Sequence, residues 1–160
     1  MTYASGTSVS VERSRMEIDS LLGKHGATSR GVATTEGMAQ VAFVIGGLHY
    51  RLDVPLPEFQ MTKQPPGWWG WNESRREEYK AKHTEQAMRE RWRAILLLLK
   101  AKLEAVRMGV SRVEKEFLSD LVLDGGGTVY QAMGERIAKA LANGQPLALP
   151  AADGVRMSEP

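Results

Sequence analysis

The hydrophobic positions change period twice along the chain, and the three regimes predict its elements. From Ser10 to Gly26 the apolar residues follow a helical period. Val11, Ile18 and Leu22 share a face at steps of seven and four, with Leu21 beside them. Ser10 suits an N-cap, Glu12 favours the positive end of the helix dipole, and Gly26 supplies a left-handed stop. The period then becomes two. Arg30–Thr35, Met38–Ile45 and Leu48–Val54 read as three antiparallel strands, joined at Glu36-Gly37 and Gly46-Gly47 by two-residue turns. With Gly46-Gly47 as the turn, Ile45 faces Leu48, Phe43 faces Tyr50 and Val41 faces Leu52. That is one continuous apolar face. Gln40, His49, Arg51 and Asp53 fall on the other, which should meet water. A one-residue slip would exchange the two faces, so the register is well specified.

The helical period returns over 73–108, with Asn72 or Ser74 as its cap and Gly109 as its end. This segment is charged at first. Around Trp92–Lys100 it becomes apolar on nearly every side, with Trp92, Ile95, Leu96, Leu99, Leu103 and Val106 as a core stripe. A helix apolar all round has no side for water and is expected to be wrapped by the rest of the chain. Two shorter helices are expected over 111–143. Ser111 would cap the first, with Glu114 completing a capping box and Val113, Phe117, Leu118 and Leu121 inward. Asp124-Gly125-Gly126-Gly127 makes a turn. Thr128 caps the second, with Val129, Met133, Ile137, Ala140 and Leu141 inward, and Asn143-Gly144 stops it. The fold expected is α+β in one domain, 10–144. A three-stranded antiparallel meander packs against a long central helix, with an N-terminal helix and two C-terminal helices. Residues 1–9 and 145–160 read as a flexible arm and a flexible tail.

Composition adds exclusions. The chain has 160 residues and no cysteine, so disulfides, thiolate metal sites and thiol nucleophiles are ruled out. Ala94–Leu99, the longest purely apolar run, is far shorter than the roughly 20 residues a bilayer requires. Met1–Ser10 lacks a basic-then-apolar signal pattern. These features predict a soluble intracellular protein. The formal net charge is +2, but its distribution is uneven. Glu73–Arg107 holds ten Lys and Arg against six acids, so the positive charge concentrates on one helix.

Catalytic and metal-binding patterns are weak. His25, His49 and His83 lie on three separate elements, and no pair has the spacing of a helical metal site. No Gly-x-Ser-x-Gly elbow is present. Asp120 and Asp124 flank a helix end and a turn. The stretch Asp124–Thr128 lacks the Gly-Lys-Ser/Thr ending of a phosphate loop. No catalytic residue, cofactor or metal is assigned, and the chain reads as a non-enzyme.

The stronger candidate joins the basic helix to the loop before it. Residues 55–72 contain Pro55, Pro57, Pro65 and Pro66 together with Phe59, Trp68, Trp69 and Trp71. A loop of this length is usually functional or mobile. Arg75, Arg76, Lys80, Lys82, Arg89, Arg91 and Arg93 follow, interrupted by acids, with Glu78–Lys82 and Glu85–Arg89 spaced as supporting ion pairs. Cations beside aromatics grip single strands, because unpaired bases stack on the rings. Trp and Arg are equally the anchors of protein interfaces. A third option is that the loop folds back over the core as a lid.

The runs Arg89–Ala94 and Lys100–Val106, then Glu116-Phe117-Leu118, and Val11–Arg15 leading to Gly26-Ala27, resemble a family of small bacteriophage- and prophage-encoded proteins of uncharacterised chemistry. The similarity spans about Ser10 to Pro150. It implies a phage context, inside a bacterial host or in a particle, and carries over no catalytic residue. The reading is therefore a phage accessory protein in the host cytoplasm. It would bind nucleic acid, single-stranded DNA first, through Trp68, Trp69, Trp71, Arg75, Arg76, Lys80, Lys82 and Arg89. The alternative is a protein-interaction or assembly component, either a host-defence inhibitor or a self-assembling homo-oligomer, using the same surface. No membrane partner is expected.

Overall fold

The computed structural model describes residues 4–35, 37–61 and 64–144. Helix α1 spans Val11–Lys24, and the Ser10 hydroxyl caps it by accepting the Arg13 amide at 3.2 Å. Ile18 and Leu22 are fully buried. Strands β1 (Ser29–Thr35), β2 (Met38–Ile45) and β3 (Leu48–Pro55) form an antiparallel meander in the order β1-β2-β3. The register pairs Ile45 with Leu48, Phe43 with Tyr50 and Val41 with Leu52, as the alternation predicts. Gly46 and Gly47 take φ of 61° and 79°, which matches their turn to the strand twist. Glu36, expected in the other turn, lies outside the described residues. The β1–β2 register nevertheless places Thr35 opposite Met38, and Gly37 has φ of 70°.

Helix α2 runs from Glu73 to Arg107, about 52 Å at the standard rise. The Asn72 side chain accepts the Arg75 amide at 2.9 Å and caps it. Trp92, Ile95, Leu96, Leu99 and Leu103 join Val41, Phe43, Tyr50 and Leu52 from the sheet, and Ile18 and Leu22 from α1, in one core cluster. Val106, expected in the stripe, is half-buried. Arg93 of α2 donates to Glu17 of α1 at 2.9 Å and fastens the two helices.

Three expectations need correction. First, α2 is not wrapped: Ala94 is exposed and Leu98 is 46% exposed. The sheet and α1 approach α2 from the core side, and among the described residues no element covers Ala94 and Leu98. Second, the segment after α2 is not a full helix. Helix α3 is the single turn Val113–Glu116, preceded by Arg112 and without a side-chain cap, while the Ser111 hydroxyl is buried without a partner. Its continuation is stopped by tertiary contacts. Lys102 donates to the Glu116 carbonyl at 2.6 Å, and Phe117 enters the core with its ring 5.2 Å from Phe43. The chain then makes a 3-10 turn at Leu118–Asp120 and pairs with the free edge of β3, where Val122 N donates to the His49 carbonyl at 2.8 Å. An open edge offers unpaired backbone groups, so a passing segment is captured there.

Third, α4 (Val129–Asn143) turns its apolar side inward only in part: Val129, Met133, Ile137 and Ala140 are half-buried, and Leu141 is exposed. Thr128 and Gln131 form its capping box, yet none of its residues is buried and Leu141 is 79% exposed. Polar contacts at the first turn hold it. Arg51 donates to the Gly126 carbonyl and to Gln131, and Gln131 donates to Asp53. The wet face of the sheet is thus partly used to anchor α4. The N-terminal arm also meets the body: Gly6 N donates to Glu90 at 2.7 Å, and Gln86 donates to the Thr7 carbonyl. The expected tail 145–160 lies outside the described residues.

Candidate functional site

The loop before α2 closes through a 3-10 turn at Trp68–Gly70, entered at Gly67, whose φ of 79° reverses the chain. The turn separates the three tryptophans. Trp68 is 8% exposed and Trp69 is 80% exposed. Trp71 is half-buried. The Trp68 ring lies 5.5 Å from Trp71 and 5.8 Å from Tyr79, so Trp68 is packing and is withdrawn from the contact surface. The Arg75 guanidinium sits 4.3 Å over the Trp71 ring and occupies one of its faces. Trp69 alone of the three presents an open indole. Trp68 packs on Trp71 and Tyr79 outside the core cluster, so the loop turn covers a flank of α2 and not the core.

The cations also separate. Arg76 lies over Trp68 and donates to the carbonyls of Trp68 and Trp69, so it pins the turn. Lys80 pairs with Glu77 at 2.6 Å, and this hydrogen bond raises the lysine's affinity for its proton. Arg89 pairs with Glu85, as the spacing predicts. Glu78–Lys82 is not among the pairs formed by the described residues. Lys80 and Lys82 are two residues apart, about 200° of helix rotation. They therefore face opposite sides of α2. Lys82 and Arg89 line a cleft with Glu85 and Gln86. The expected set of five cations is therefore not one surface.

On the loop side lies a groove of about 540 Å³ between Leu56–Met61 and α2. Tyr79, His83, Ala87 and Arg91 contribute to it, spaced by four along the helix. The Phe59 ring meets Tyr79 at 6.4 Å and His83 at 6.5 Å, both edge to face. Arg91 is among the ten cations counted on this helix and Phe59 among the loop aromatics, but the sequence reading did not join them with Tyr79 and His83. The step of four on α2 was the available signal, but it could not show that residues 56–61 fold back along that row.

The other chemical candidates are tied into structure. Asp120 is mostly shielded, and burial raises its carboxyl above the ordinary range although Lys102 lies 3.6 Å away. The glycine turn closes on itself through Gly126 N to Leu123 O and Leu123 N to Gly127 O, and its Gly126 carbonyl accepts from Arg51. Among the described residues no three His, Asp or Glu side chains converge as metal ligands. Among them too, no helix is long and apolar enough to cross a membrane. In comparisons with known proteins, no family model, curated sequence or solved structure matches the chain.

Proposed function

We propose that this chain is a non-enzymatic, phage-encoded accessory protein that binds nucleic acid, single strands first, along the loop-side flank of α2 in the host cytoplasm. One observation carries the reading. Trp69 projects an indole that is 80% exposed from a turn whose carbonyls Arg76 holds in place. An exposed ring on a rigid support loses little freedom when a base stacks on it, and such stacking is worth roughly 1–3 kcal/mol. Arg75 and Lys80 supply nearby positive charge, while Trp68 and Arg76 support the turn. Lys82 and Arg89 follow Arg75 at steps of seven on one side of α2, and Lys80 lies towards the other side.

The test is an anisotropy titration of the full chain with labelled single-stranded DNA at low and moderate salt. Binding that weakens by about 0.7 log units per phosphate contact for each tenfold rise in salt is expected. No measurable binding at low salt overturns the reading. A second reading, an assembly or protein-interaction component, is favoured by Tyr130 and Leu141 of α4, which are 62% and 79% exposed among the described residues. Light scattering after chromatography separates the two. A discrete oligomer together with DNA binding insensitive to Trp69→Ala supports the second.

A further inference from the structure

We infer that the groove between Leu56–Met61 and α2 is a nucleotide subsite, with the aromatic end taking a base and Arg91 taking its phosphate. The identity of the ligand rests on the nucleic-acid reading; the geometry stands apart from it. The groove's volume, about 540 Å³, falls within the range of small-ligand sites.

Its lining is divided by chemistry. Phe59, Tyr79 and His83 form an aromatic end. The carbonyl of Tyr79 lies 2.8 Å from His83 Nδ1. A carbonyl only accepts, so Nδ1 carries the hydrogen. His83 Nε2 makes no hydrogen bond among the described residues. Two turns further along, Arg91 also lines the groove. Its neighbours Arg89 and Arg93 are both paired, to Glu85 and Glu17. Arg91 has no carboxylate or carbonyl partner among the described residues and is half-buried. A guanidinium partly withdrawn from water and unmatched by an acid is a natural partner for phosphate, which it can bind in a bidentate fork. Arg91 starts about 12 Å along the axis from His83, and helical side chains lean towards the N-terminus. That lean brings the guanidinium towards the aromatic end and leaves a gap that one base–sugar–phosphate unit fills. Glu58, on the rim, is an acceptor for an exocyclic amine and disfavours additional anionic charge at that end.

The experiment is calorimetric titration of the full chain with adenosine 5′-monophosphate, adenosine and inorganic phosphate at low salt, beside the single-stranded DNA titration. Saturable binding of the monophosphate, tighter than that of adenosine or phosphate, is expected. Arg91→Gln should weaken the monophosphate at least tenfold and leave adenosine unchanged. Phe59→Ala should weaken both. Unchanged far-UV circular dichroism and melting certify Arg91→Gln as folded, so its result stands even if Phe59→Ala perturbs the loop. No binding of the monophosphate, or binding indifferent to Arg91→Gln, overturns the inference. DNA binding that is lost in Trp69→Ala but unchanged in Arg91→Gln keeps the function proposed above and overturns the subsite. Monophosphate binding that depends on Arg91, without any DNA binding, keeps the subsite and overturns that function.

Discussion

His83 Nδ1 donates to the carbonyl of Tyr79 at 2.8 Å, and the two rings lie 3.9 Å apart between centroids. This pair links two regions of the loop-side flank. Tyr79 also meets Trp68 and Trp71 on one side and Phe59 on the other. Each aromatic contact is worth about 0.5–1.5 kcal/mol beyond area burial. Tyr79→Ala is therefore expected to cost about 2 kcal/mol in urea unfolding and to shift tryptophan emission to the red, as water reaches Trp68. Tyr79→Phe keeps the ring and should leave emission unchanged.

The tryptophans should separate by readout. Trp68→Ala removes a packed ring and is expected to lower stability by about 3 kcal/mol. Trp69→Ala removes an exposed one and should change stability by less than about 0.5 kcal/mol. On the proposed function it should weaken single-stranded DNA binding roughly tenfold or more, the equivalent of one stacked base. Unfolding curves and anisotropy on the two variants check both expectations.

Two adjacent leucines of α2 give an internal control. Leu99 is fully buried in the core cluster, so Leu99→Ala should cost about 2–5 kcal/mol. Leu98 points away at 46% exposure, and Leu98→Ala should cost less than about 1 kcal/mol. Equal losses in chemical denaturation would mean that the outer side of α2 is covered in solution.

Asp120 gives a dependence on pH. Burial is the main cause of its raised pKa, and Lys102 only partly offsets it. The folded state therefore holds this proton more tightly than the unfolded chain. The resulting contribution falls as pH rises from the ordinary carboxylate range through the raised value, and the penalty for the charged form is complete above it. Asp120→Asn should stabilise the protein near pH 7, with the advantage disappearing below about pH 4. Thermal unfolding of both proteins across pH 3–8 measures this, and an advantage that grows on acidification contradicts it.

The sequence by itself determined the features that depend on neighbours along the chain. Alternation in Val41–Phe43 and Tyr50–Leu52 specified the strand faces, because a slip exposes every apolar residue at once. Ser10, Asn72 and Thr128 marked helix starts, because a cap needs only a side chain and amides two or three residues on. Trp68, Trp69 and Trp71 were legible as a candidate site, but not their division into buried, exposed and cation-covered rings. That division depends on how the turn at Gly67 meets α2. The length of α3 was decided by Lys102 and by the insertion of Phe117 beside Phe43, contacts between distant residues. The groove holding Arg91 exists only because residues 56–61 return along α2. Local periodicity carries no information on which distant segment covers a given helix side, so only the tertiary structure decided which cations and aromatics share a surface.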